Sequence, residues 1–192
     1  MNKSDKLAVI FPGMGYHSDK PLLYYSKKLA KARGYEVIEI RYDFQVRAKD
    51  IMNDKEAKNE AFLHAVSETE KQLSSVNYED YKDVIFIGKS IGTTVAAYFD
   101  KKNGINARHI VFTPVPETFI HLRDNCGIVF HGTADPWCET EFAESKCKEL
   151  HLELFKVADA NHSLETNDPI IDIRRMQEIL DKVDGDGVNG SL

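Results

Sequence analysis

The stretch Asp83-Val-Ile-Phe-Ile-Gly-Lys-Ser-Ile-Gly-Thr-Thr-Val-Ala-Ala97 decides how this chain is read. An apolar run of strand type leads into Gly88-Lys89-Ser90-Ile91-Gly92, and an Ala/Val-rich helical pattern follows. A G-x-S-x-G pentapeptide in that setting reads as a sharp strand-to-helix turn with a serine hydroxyl at its tip. The serine takes a strained backbone conformation, so the residues two positions either side must be small, and Gly88 and Gly92 are. The helix start also points free N–H groups and a positive dipole end at that hydroxyl.

Outward from this turn, short apolar runs recur at residues 7–11, 37–40, 84–87, 110–112, 128–130 and 152–157. The first five are continuous, as expected of strands covered on both faces, and the last alternates, which suits a strand nearer an edge. The stretches between them have helical spacing. Residues 57–76 put Ala61, Ala65, Thr69, Leu73 and Val76 on one face, and residues 170–183 do the same with Ile173, Met176, Leu180 and Val183. Residues 21–33 open at Pro21 and stop before Gly34, both good helix punctuation. Residues 139–150 carry Ala143, Cys147 and Leu150 on one face, which makes Cys147 a core thiol. This β-α alternation implies an α/β fold: a three-layer α/β/α sandwich with a mostly parallel sheet of about six strands. Ligands in such sheets sit at the carboxyl ends of the strands. Residues 42–58 are polar and long for a strand-to-helix connection. They read as a small excursion beside the site or as an early helix start.

Residues 1–183 read as a single domain and 184–192 as a flexible tail. The 192 residues, 42% apolar and 29% charged, suit one soluble globular unit with a real core. Lys and Arg total 25 against 31 Asp and Glu, a net charge of −6, which disfavours nucleic acid or an anionic membrane as partner. The cysteines at 126, 138 and 147 have neither CxxC nor zinc-type spacing and read as free thiols in a reducing compartment. The polar start and the lack of any run near 20 apolar residues place the chain, as an expectation, in the cytoplasm.

A nucleophilic serine needs a base, and the base an orienting acid. Asp135 follows the fifth strand in Ile128-Val-Phe-His-Gly-Thr-Ala-Asp-Pro-Trp137, and His162 follows the sixth in Ala158-Asp-Ala-Asn-His-Ser163. Ser90, Asp135 and His162 therefore fall in loops at one end of the sheet, with Glu117 and Asp159 as rival acids. Among the other histidines, His131 reads as support for a strand end, and His64, His109, His121 and His151 as structural or solvent-exposed. The developing oxyanion needs two backbone donors. Ile91, just after the serine, is one. Met14, in Phe11-Pro-Gly-Met-Gly-Tyr-His17, is the other, because its flanking glycines let the backbone approach. Gly13, His17, Lys89 and Trp137 are the remaining candidates to line a substrate site. For Lys89 a solvated side chain is expected, with attraction of an anionic substrate group as the alternative.

Three segments carry a resemblance to a known superfamily: Gly88-Lys89-Ser90-Ile91-Gly92, His131-Gly132-Thr133-Ala134-Asp135-Pro136 and Asn161-His162-Ser163. Together they resemble the compact, capless, esterase-like members of the α/β-hydrolase superfamily. The resemblance runs from the first strand to the last helix. It implies a Ser-His-Asp hydrolase forming an acyl-enzyme on Ser90, acting on a small carboxylic ester or thioester, with no cofactor and no metal. Many members carry His-Gly in the oxyanion loop where this chain has Pro12-Gly13. Only about a dozen residues separate Thr113 from Cys126, where many members carry a cap. A shallow, open site for small or surface-presented acyl groups is therefore expected. The alternatives are a non-catalytic small-molecule binding member of the same fold and an acyltransferase.

Overall fold

All six apolar runs become strands: β1 (Lys6–Phe11), β2 (Glu36–Glu39), β3 (Asp83–Lys89), β4 (Arg108–Phe112), β5 (Gly127–Gly132) and β6 (Glu153–Val157). The computed structural model describes residues 4–188 and joins them in one parallel sheet of order β2-β1-β3-β4-β5-β6. In register, Val9 lies opposite Ile38 on one side and Phe86 on the other. The helices are α1 (Pro21–Ala32), α2 (Ala48–Ile51), α3 (Lys55–Leu73), α4 (Ile91–Asn103), α5 (Thr140–Glu149) and α6 (Pro169–Lys182). Side chains alternate across the strands, so one chain feeds two core layers. Ile10, Ile85, Ile87 and Phe112 pack with Leu22, Leu23 and Ile179 on the α1 and α6 face. Val9, Phe11 and Phe86 pack with Ala65, Val66 and Val95 under α3 and α4. Val111 and Val129 continue this second face under Ala143 and Cys147 of α5.

Two expectations about coverage are corrected. The second run forms β2, an edge strand, so it is covered only in part: Val37 and Ile38 are half-buried, one against each core layer, and Ile40 just beyond the strand is buried. In α6 the buried face runs through Ile179 to Val183 just beyond the helix, with the expected Met176 half-buried against the same layer, while the expected Ile173 stands 66% exposed. That helix also exposes Ile170 and Ile171, so its apolar stripe is wider than the strip its neighbours cover. Beyond α6 the chain continues as a π-helical segment, Val183–Val188, in which Val183 is buried and Asp184 accepts from Arg33 Nε at 2.8 Å. Of the tail expected from residue 184, positions 189–192 lie outside the described residues. Among the described residues no helix is long and apolar enough to cross a membrane.

The strand order positions the site. From β1 the chain moves outward to β2, then returns to β3 on the other side of β1. The loops leaving β1 and β3 therefore diverge to opposite faces, which opens a crevice at the carboxyl edge.

Candidate active site

Ser90 stands in that crevice at the N-cap of α4, with φ 56° and ψ −127°. A non-glycine residue held there costs about 1–3 kcal/mol and persists only where its surroundings enforce it. Here the Ser90 N–H donates to Phe112 O at 3.1 Å, and its carbonyl accepts from the Thr93 N–H and Oγ1 at 2.8 and 2.6 Å. The flanking glycines are required by close approach. A Cβ at Gly92 would lie 2.2 Å from Phe11 O, and one at Gly88 would lie 2.9 Å from Thr93 Cα.

His162 comes from a loop that Asn161 folds upon itself. The Ser163 N–H donates to Asn161 Oδ1 at 2.7 Å and the Leu164 N–H to Asn161 O at 2.9 Å. The imidazole Nε2 lies 2.8 Å from Ser90 Oγ, and Nδ1 lies 2.7 Å from Asp135 Oδ2. The Asp135 side chain is fully buried, and its other oxygen accepts the Trp137 N–H at 2.9 Å. Burial chiefly, and then the charge of Lys89, hold His162 below the usual histidine range against the opposing pull of Asp135. Neither rival acid bonds to His162, although Glu117 borders the cavity that contains Ser90. Glu117 lies on a short 3-10 turn (Pro116–Ile120), 3.9 Å from Lys58, and the Asp159 N–H is tied to Thr133 Oγ1.

Met14 and Ile91 both border the cavity that contains Ser90. Gly13 and Tyr16 exchange two backbone hydrogen bonds, at 3.0 and 3.1 Å, across the turn that presents Met14. Among the described residues neither the Met14 nor the Ile91 amide has a hydrogen-bond partner. The cavity measures about 320 Å³ and is lined by Ile51, Phe62, Val115, Ile120 and Trp137, with Lys55, Lys58, Asn59 and Glu117 as polar members of its wall. The Trp137 ring lies 5.6 Å from the His162 ring. The expected shallow, open site gains a wall on one side. The long connection supplies α2 and the first turn of α3, and these build a wall beside the serine, with Ile51 only 7% exposed. A second, polar cleft of about 750 Å³ adjoins it, with Met14 and Ala48 bordering both. Gly13 and His17 line that cleft rather than the cavity with Ser90. Within it the Lys27 ammonium is held between Asp19 and Glu39 at 2.9 and 2.8 Å.

Lys89 is neither solvated nor at a cavity wall. It is 1% exposed, with its ammonium 5.0 Å from the centre of the Tyr16 ring. Sequence reasoning missed Phe62 and His121, which stack with rings parallel to 2° and line the cavity. Their only local signal is an aromatic on α3 and a histidine after β4. It also missed Ile51, whose signal is a branched apolar residue in a mostly polar segment. His131 is fully buried in β5, with Nε2 2.9 Å from Thr140 Oγ1. Among the described residues no three His, Cys, Asp or Glu side chains gather in a way that could hold a metal ion.

No family model matches the chain, and no curated protein matches it. Solved structures do. An α/β serine hydrolase homologue from Coxiella burnetii superposes with a TM-score of 0.62 at 14% identity, covering 95% of this chain and 86% of that one. An esterase from Pyrococcus furiosus gives 0.60 at 13% identity, over 94% and 82% of the two chains. A lidless α/β serine hydrolase from Xanthomonas campestris gives 0.55 at 12%, over 95% and 84%. At these identities the likeness is one of fold, and the chain has the α/β-hydrolase fold.

Proposed function

We propose that this chain is a serine hydrolase that cleaves small carboxylic esters or thioesters through an acyl-enzyme on Ser90. The observation that carries this reading is the unbroken line Ser90 Oγ–His162–Asp135, with contacts of 2.8 and 2.7 Å. A carboxylate only accepts hydrogen bonds, so Asp135 fixes the imidazole proton on Nδ1 and leaves the Nε2 lone pair facing the serine hydroxyl. As Ser90 Oγ bonds to the acyl carbon, its proton passes to His162. The carbonyl oxygen gains charge between the Met14 and Ile91 amides, each worth about 3 kcal/mol of barrier. His162 then gives its proton to the departing alkoxide or thiolate. Water repeats the sequence on the acyl-enzyme: its proton goes to His162, its oxygen bonds to the acyl carbon, and Ser90 recovers a proton as the acid leaves. The strained backbone of Ser90 and the two unpartnered amides support the same reading, as do the names of the structural neighbours. The apolar cavity beside Trp137 suits the acyl group.

The experiment is direct. Ser90→Ala should abolish p-nitrophenyl ester turnover and fluorophosphonate labelling while the fold is retained. Undiminished turnover in that variant overturns the proposal.

A further inference from the structure

Lys89 immediately precedes the serine, and the reaction above gives it no part. The alternation of β3 sends Lys89 with Ile85 and Ile87 to the face under α1. Its stem there lies against the β1–α1 turn, where a Cβ at Gly13 would meet Lys89 Cγ at 3.4 Å. Its ammonium sits over the Tyr16 ring, and Tyr16 is itself tied down because its hydroxyl accepts the Leu22 N–H at 3.2 Å. Among the described residues no carboxylate stands at ion-pair distance from Lys89. A buried ammonium facing little more than an aromatic ring is costly where an apolar side chain of similar length would pack. Such a charge at a hydrolytic site calls for a role.

We propose that Lys89 is a positioning residue. Clamped on the Tyr16 ring, it holds the Gly13–Tyr16 turn, and with it the Met14 amide, against the serine, and it sets a buried ammonium group on the residue next to the serine that His162 contacts. Its catalytic consequence rests on the serine-hydrolase reading, whereas its effect on the His162 ring does not. The groups around the pair come from every neighbouring segment. Tyr16 and Lys20 lie before α1, Asp135 after β5, His131 within β5, and Glu165 beside His162 in the last loop. Asp135 favours the imidazolium, while Lys89 and His131 disfavour it. Burial pushes Lys89 itself down to about 7, and Lys20 adds to that while Asp135 and Glu165 resist. Below that pH Lys89 is charged, which is the range in which His162 would otherwise take up a proton.

Lys89→Met keeps the length of the stem and removes the charge, a change that buried ionic sites commonly tolerate. The titration of the His162 ring, followed by NMR, should move up by roughly one pH unit. The acid limb of kcat/KM should move with it, while KM changes little. A merely structural role for Lys89 would not shift that midpoint. Lys89→Gln, equally neutral, should give the same displacement. A folded variant whose His162 titrates as in the parent overturns the proposal. Should neither variant fold, the unmodified protein decides: the Lys89 and His162 signals must respond to each other's titration, and independent titration overturns the proposal. Failure of Ser90 to label would overturn the hydrolase reading alone, and the ring titration would still decide the role of Lys89.

Discussion

Ser90 adopts φ 56° because three neighbours leave it no alternative: Phe112 O holds its N–H, and Gly88 and Gly92 admit the close approaches around it. Those glycines made the turn legible, since any side chain at either position would meet backbone. His162 was legible for a different reason: it sits a few residues past a strand, where loops of a parallel sheet gather. Its environment carries a pH prediction. In the proposed reaction the imidazole must be neutral to accept the serine proton, so activity should fall as pH drops through its pKa. Burial, chiefly, and Lys89 lower that value, so the midpoint of the acid limb of kcat/KM should lie below about 6.5. A pH–rate profile with its midpoint above that would contradict the geometry. Lys89 was not legible. A lysine two residues beyond Ile87 reads as solvated at the end of a strand, and only the folding of the Tyr16 turn across it makes it buried.

At the scale of elements, α6 shows how a helical period is read and misread. Its apolar residues supply two overlapping stripes, one through Ile170 and Ile173 and one through Ile179 and Val183. Only the second meets the core. Ile179→Ala should therefore cost about 2–5 kcal/mol in a urea titration, as large-to-small changes in packed cores do. Ile173→Ser should stay within about 0.5 kcal/mol of the parent. The reverse order would place the wrong stripe inside. β2 teaches the same point: its apolar run is continuous, yet it lies at an edge of the sheet, where Val37 and Ile38 are only half-buried. α3 was easier, because Ala61, Ala65, Thr69 and Leu73 share the face that is buried. The Asp54 side chain caps its start by accepting the Ala57 N–H at 2.9 Å, which anchors the wall of the cavity.

For the molecule as a whole, the reversal of strand order between β1 and β3 opens the crevice, and the 42–58 connection then closes one side of it. On the proposed reading, a cavity of about 320 Å³ bounded by Ile51 and Phe62 should limit the acyl group. Across a series of p-nitrophenyl esters, turnover should rise and then fall with chain length. Ile51→Trp should move the optimum to shorter chains, and an unchanged optimum would place the acyl group elsewhere. The absence of a cap in the sequence suggested an open site, yet α2 provides a wall from a mostly polar segment whose Ile51 turns inward. The sequence by itself determined the parallel α/β architecture, the turn at Ser90 and the order in which Ser90, Asp135 and His162 arrive at one sheet edge. Each of these follows from local pattern and from the handedness of crossovers. The tertiary structure alone decided which stripe of α6 is covered, that Lys89 lies under Tyr16 and that residues 42–58 wall the cavity. An apolar period records that a face can be buried, whereas burial itself depends on what distant segments bring against it.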